Sequence, residues 1–149
     1  MQLSRQSDYA MRVVLDLALN EDARTREIAR RQGVSPSYVG RISQLLNRAG
    51  VIRSMRGRLG RLSLAQPPQD ITMLQIVEAV DGPIRLDRCF LAPEECGREG
   101  SCPAYHIGQD ILRYAVTAMG STTVADLCGN GRKAARTRSR RERAISQPR

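Results

Sequence analysis

Apolar residues recur at helical spacing through the first third of the chain. Ala10, Val13, Val14, Leu17 and Ala18 share one stripe of residues 9–19, with Arg12 and Asp16 off it. That pattern predicts an amphipathic helix, with Ser7 or Asp8 capping its start. Thr25 opens a short helix through Gln32, which Gly33 ends because glycine accepts a left-handed C-cap without strain. Ser35 and Pro36 restart a helix at its N-cap and first position, and Tyr38, Val39, Ile42, Leu45 and Leu46 carry it to Gly50. A helix, a tight turn and a second helix form the helix-turn-helix pattern.

Two short runs, residues 51–55 and 62–64, predict strands. Between them Arg56, Gly57, Arg58, Leu59, Gly60 and Arg61 make a basic hairpin suited to a DNA wing. Pro67 and Pro68 break the chain. Residues 71–80 predict a further amphipathic helix through Ile71, Leu74 and Val77, stopped by Asp81, Gly82 and Pro83. Pro103 opens a long helix with Ile107, Ile111, Leu112, Ala115, Val116 and Met119 on one apolar stripe. That helix is expected outside the winged unit, with the same helix of a second subunit as its partner. Thr122 or Thr123 caps a last turn through Leu127.

The expected fold is mainly α with a small β-wing. Residues 1–66 form a winged helix-turn-helix DNA-binding domain. Residues 67–128 carry a linker helix, a cysteine loop and a dimerisation helix. Residues 129–149 are basic and almost free of large apolar side chains, so they are expected to be a disordered tail.

Charge supports this division. Residues 1–64 hold twelve Arg against five acids, giving +7. Residues 65–128 hold four Arg against nine acids, giving −5, and residues 129–149 return to +7. Such asymmetry suits a polyanion-binding head and a separate sensing body. No run of about eighteen apolar residues occurs, so no membrane span is expected. The first residues lack the apolar core of a secretory signal, so the expected location is cytoplasmic, where thiols stay reduced. No acid–base constellation or cofactor fingerprint is visible, and an enzyme is not expected.

In a helix-turn-helix the start of the second helix meets base edges. That places Ser35, Ser37, Tyr38 and Arg41 at the DNA, with Gly40 beside them and Arg41 suited to guanine or phosphate. Arg56, Arg58 and Arg61 would reach a minor groove or flanking phosphates. Arg5 and Thr25, at two helix starts, complete the candidate DNA-binding set.

Cys89, Cys96 and Cys102 fall within fourteen residues of a chain with one other cysteine, Cys128. The stretch is rich in Gly, Pro and acids and lacks apolar periodicity, so it reads as a loop. Three clustered thiols suit an iron–sulfur cluster, zinc or copper(I). Structural zinc sites favour two to four residues between cysteines, and here six and five intervene, which fits zinc poorly. Metal-free thiol redox sensing is a further alternative. Cys128, near the end of the last turn, is expected to be a small packed residue and not a ligand.

Several of these features coincide with one family. They are Met1, Gln2 and Leu3 followed by Ser7, Asp8, Tyr9, Ala10, Met11 and Arg12; Ile28-Ala29 before Gly33-Val34-Ser35; Leu45; the Ala49-Gly50-Val51 turn; and Arg56-Gly57. The helix over residues 71–80, the three loop cysteines and the ending at residues 123–127 complete the set. Over residues 1–128 the chain resembles the IscR/NsrR family of iron–sulfur winged-helix repressors. The resemblance implies a homodimer with a cluster held by Cys89, Cys96 and Cys102 beside the dimerisation helix. A 4Fe–4S cluster leaves one position for a fourth donor, as does the 2Fe–2S alternative. Asp8 matches the position at which the nitric-oxide-sensing branch supplies a carboxylate from the partner subunit. His106 is the competing donor. The 2Fe–2S branch has its histidine three residues past the last cysteine, where this chain has Tyr105, and a one-residue slip turns a helical side chain by about 100°. The wing also departs from the family, which carries a run of glycines after Arg-Gly where this chain has Leu59, Gly60 and Arg61.

The resulting expectation is a dimeric transcriptional repressor on double-stranded operator DNA, controlled by an iron–sulfur cluster that senses nitric oxide. The alternative signal is iron, redox or cluster-assembly status.

Overall fold

The structure is a computed structural model that describes residues 4–55, 60–84 and 102–129. In chain order the elements are α1 (Arg5–Asn20), β1 (Asp22–Arg24), α2 (Thr25–Gln32), α3 (Pro36–Arg48), β2 (Ile52–Met55), β3 (Arg61–Leu64), α4 (Met73–Asp81) and α5 (Pro103–Ser121). A final helical turn covers residues 124–129. The mainly helical architecture with a small sheet is the one the hydrophobic pattern predicted. The wing tip at Arg56 and Arg58, the segment with Cys89 and Cys96, and the basic tail lie outside the described residues.

Local chemistry fixes most boundaries. α1 is capped by Ser4, whose Oγ accepts the Ser7 N–H at 3.1 Å. The expected caps were Ser7 and Asp8. Ser7 instead lies inside the first turn with its hydroxyl turned inward, 1% exposed. At the start of α2 the Arg24 N–H donates to Glu27 Oε2 at 2.8 Å. That backbone donor holds the Glu27 carboxyl below its ordinary value. Gly33 ends α2 at φ +65°, where both its own N–H and that of Val34 reach the Ala29 carbonyl. Ser35 then caps α3 by accepting the Tyr38 N–H at 3.3 Å, with Pro36 first in the helix.

Ala10, Val13, Val14 and Leu17 of α1 meet Ile28 of α2, Val39, Ile42 and Leu46 of α3, and Ile52 and Leu62 of the sheet in one buried core. Each such Val, Leu or Ile side chain removed from water contributes about 1.5–3 kcal/mol. The sheet is antiparallel in the order β1-β3-β2, with Ala23 opposite Leu62 and Ile52 opposite Leu64. β1 was not expected. Three residues with a single buried side chain, Ala23, are too short for a strand period to show.

Ile71 and Ile76 extend the same core beyond the wing, as does Val124. α4 opens with a reciprocal cap: Thr72 Oγ1 accepts the Gln75 N–H at 3.2 Å, and Gln75 Oε1 accepts the Thr72 N–H at 2.8 Å. The chain after α5 returns to this start. The Val124 N–H donates to the Ile71 carbonyl and the Met73 N–H to the Thr122 carbonyl, both at 2.8 Å. Thr123 caps the closing turn, accepting the Asp126 N–H at 3.1 Å. The expected apolar stripe of α5 is therefore divided. Ala115 and Met119 are buried, and α5 packs on α4 of its own chain. Ile107, Ile111 and Tyr114 stay 60%, 53% and 78% exposed. Among the described residues no helix is long and apolar enough to cross a membrane.

Candidate DNA interface and sensor residues

α3 buries Val39, Ile42, Ser43 and Leu46, which fixes the face it turns outward. Ser43 avoids a wasted hydroxyl by donating to the Val39 carbonyl at 2.8 Å. Ser35, Ser37 and Arg41 are exposed, and Gln44 and Arg48 continue the same outward stripe one and two turns on. The expectation stopped at Arg41. Continuing the i+3, i+4 and i+7 count from Ser37 and Arg41 would have found Gln44 and Arg48. Gly40 sits within this stripe in mid-helix, and a Cβ there would meet nothing within 4 Å. Tyr38 is half-buried, its ring edge-on to Tyr9 of α1 at 5.5 Å and 86°. Its aromatic face therefore ties the recognition helix to α1.

A cleft of about 430 Å³ opens between α3 and the sheet, with Thr25, Gly40, Gln44, Asn47, Arg48 and Ser54 among its lining residues. Asn47 Nδ2 donates to Ser54 Oγ at 3.1 Å and so joins the end of α3 to β2. Among the described residues the lining includes a basic side chain, hydroxyls and amides beside the apolar Leu62, and no acid. Such a lining suits a phosphodiester backbone, whose oxygens need donors and tolerate no carboxylate. Arg5 is exposed at the start of α1. Arg61 is pinned within the sheet by an ion pair to Asp22. The hydrogen bond that its guanidinium donates to the Asp22 carboxylate raises the Arg61 pKa, and Glu27 adds to the effect.

Asp8 points outward from α1, its side chain 54% exposed and its carboxylate 2.9 Å from Arg12. Arg12 in turn lies over the Tyr9 ring at 5.3 Å. Cys102 is a free, partly exposed thiol at the N-cap of α5. His106 is exposed one turn into that helix and meets Tyr105 edge-on at 5.8 Å. Cys128 is partly buried against the core. Among the described residues no three His, Cys, Asp or Glu side chains converge as a metal site.

The comparisons with known proteins agree on one group. The family model "Rrf2: Iron-dependent Transcriptional regulator" matches residues 3–130. The HTH-type transcriptional regulator NsrR of Geobacillus kaustophilus is 31% identical over 131 residues, 85% of this chain and 89% of the relative. Protein aau3 of Rhizobium meliloti is 36% identical over 105 residues, 68% of each chain. Among solved structures, CymR, the global cysteine regulator of B. subtilis, superposes with a TM-score of 0.67 at 25% identity, covering 87% of this chain and 98% of that one. T. potens IscR gives a TM-score of 0.72 at 23% identity over 90% of each chain, a likeness of fold. With a helix-turn-helix whose second helix turns a polar stripe outward and a family match over residues 3–130, the chain belongs to the Rrf2 family and is a helix-turn-helix transcriptional regulator, not an enzyme.

Proposed function

We propose that the chain is a homodimeric repressor whose operator binding is set by an iron–sulfur cluster sensing nitric oxide. Residues 1–66 bind double-stranded DNA, residues 67–128 carry the sensor and the dimer contact, and the basic tail adds non-specific phosphate attraction. The outward stripe of α3 enters the major groove, with Ser35, Ser37 and Arg41 at its leading turn. Thr25 and Arg48 flank a phosphate strand in the cleft. Arg5 and the wing arginines Arg56 and Arg58 hold the flanking backbone, and Arg61, the third arginine of the expected set, is held in the sheet by Asp22.

The observation that carries this reading is the build of α5. One helix begins at the free Cys102 thiol, presents Ile107, Ile111 and Tyr114 to solvent, and ends stitched to the DNA-binding core. A second copy covering that apolar face would bring two heads onto the half-sites of a pseudo-palindrome. Cys89, Cys96 and Cys102 would hold the cluster, and three soft thiolates suit iron in that form. When bound, the cluster supplies an iron centre that reacts with nitric oxide. Asp8 supplies the fourth donor across the dimer, as its outward, half-exposed carboxylate allows. The resemblance to the nitric-oxide-sensing branch at Asp8 supports the choice of signal.

The test is anaerobic purification followed by absorbance, iron and sulfide analysis, and operator binding before and after stoichiometric nitric oxide. Holoprotein that keeps both spectrum and affinity after exposure overturns the reading. A second reading, a sensor of iron, redox or assembly status, is favoured by His106, which stands one turn from Cys102. Asp8→Ala perturbs the cluster under the first reading, and His106→Ala under the second.

A further inference from the structure

The polar side chains on the outward side of α3 differ in what each already does. Ser37 shares a hydrogen bond with Ser35 at 3.3 Å, and Ser35 also caps the helix, so both hydroxyls of the leading turn are engaged. A hydroxyl donates or accepts equally well and so discriminates poorly between bases. Tyr38 is half-buried with its ring against Tyr9. Asn47, the second amide of the helix's outer half, is committed to Ser54 at 3.1 Å. Arg48 stands in the last turn, on the cleft that suits a phosphate strand. Two exposed side chains remain, Arg41 and Gln44. No other described residue holds either of them by a hydrogen bond or an ion pair.

Helix geometry sets where these two reach. A helical side chain leans toward the N-terminus, over the turn before its own Cα. That direction carries Arg41 past Ser37 and Gln44 past Gly40, which are the smallest residues of the stripe. Open space surrounds the place a Cβ would take at Gly40, so nothing on the helix blocks Gln44 from the groove. The two Cα positions are three residues apart, about 4.5 Å along the axis, against about 3.4 Å between base pairs. Their chemistries are complementary. A guanidinium has donors only and matches the O6 and N7 acceptors of guanine. A carboxamide both donates and accepts, which matches N7 and the N6 amino group of adenine.

We propose that Gln44 is a specificity-determining residue that reads adenine beside an Arg41 that reads guanine. Each half-site then carries a guanine and an adenine no more than about two base pairs apart. The inference rests on the placement of α3 in the major groove and names the bases that its stripe selects.

The test uses the full chain, purified anaerobically and assayed with and without chelator treatment, to select duplexes from a randomised pool. Dissociation constants follow at one salt concentration on the selected duplex and on copies with single base pairs exchanged. Gln44→Ala should lose at least about fivefold of the discrimination at the adenine position and keep the preference for guanine. Arg41→Ala should do the reverse. Gln44→Glu, which presents acceptors only, should move the preference at that position toward cytosine. Thermal melting of each variant confirms that it folds, and a merely structural role for Gln44 would shift melting without changing the base preference. A Gln44→Ala chain that binds every duplex more weakly yet still prefers adenine puts Gln44 on the phosphates and overturns the assignment. A selected half-site with no adenine within two base pairs of guanine overturns it as well. An unaltered chain that enriches no sequence under either treatment overturns the groove placement beneath it.

Discussion

Arg31 of α2 grips the buried carboxylate of Asp16 on α1 with two nitrogens, Nε to Oδ2 at 2.9 Å and Nη2 to Oδ1 at 2.5 Å. Gln32 adds a third donor at 3.0 Å and Asn20 a longer contact at 3.5 Å. The Asp16 side chain is 2% exposed, so this pair joins the first helix of the helix-turn-helix to α1 from within the protein. Removing either partner leaves the other with its charge unmet.

Asp16→Ala should lower unfolding stability by about 2–4 kcal/mol, below the upper end for buried pairs because Arg31 remains partly solvated. Arg31→Ala should cost at least as much, since it strands the buried acid. Urea denaturation measures both, and a loss under 1 kcal/mol for Asp16→Ala would count against the pair.

The same network sets an acid response. Burial raises the Asp16 pKa, and the bonds from Arg31, Gln32 and Asn20 outweigh it, leaving the carboxyl below its ordinary 3.8. A depressed folded-state pKa contributes stability above the unfolded value that is lost as pH falls through the folded one. The stability gap between the unaltered chain and Asp16→Asn should therefore be flat from neutral pH down to about 5 and narrow below 3.8. A gap that narrows between pH 5 and 7 contradicts this assignment.

Gly40→Ala separates folding from recognition. Nothing crowds the added methyl, so the helix should gain up to about 1 kcal/mol. The methyl also projects from the face assigned to the groove, so operator affinity should drop about tenfold. A more stable protein with undiminished affinity places the groove contact elsewhere. Arg48→Ala should weaken specific and non-specific DNA alike and reduce the salt slope by about one.

Ile111→Glu puts a charge on the exposed face of α5. Sedimentation should show a monomer in place of a dimer, with operator affinity reduced and the head's melting temperature unchanged. A charged variant that stays dimeric removes α5 as the dimer contact.

What the sequence made legible was punctuation. Gly33, the Ser35-Pro36 restart and the Pro103 opening are local backbone chemistry, and each boundary falls where those residues place it. What it hid depends on contacts distant in the chain. Ser7 resembled a cap until Asp81, seventy-four residues away, drew its hydroxyl inward. β1 exists because Leu62 lies opposite Ala23. Ala115 and Met119 read as part of one partner-facing stripe, yet both are buried within the chain, where α5 packs on α4. The place of Cys102 at the head of α5 was legible from the Pro103 opening, but the split of that helix into a buried and an exposed face required the fold.

The return of Val124 to Ile71 anchors only one end of α5. Nineteen residues at 1.5 Å each make it a rod about 28 Å long, so a swing of about 5° at the moored end displaces the Cys102 end by about 2.5 Å. Leverage of that kind also runs backwards. In the proposed dimer, a duplex that tilted the two heads together would move the sulfur end by a comparable distance, and that would make occupancy of the promoter and the chemistry available at the thiols one mechanical variable.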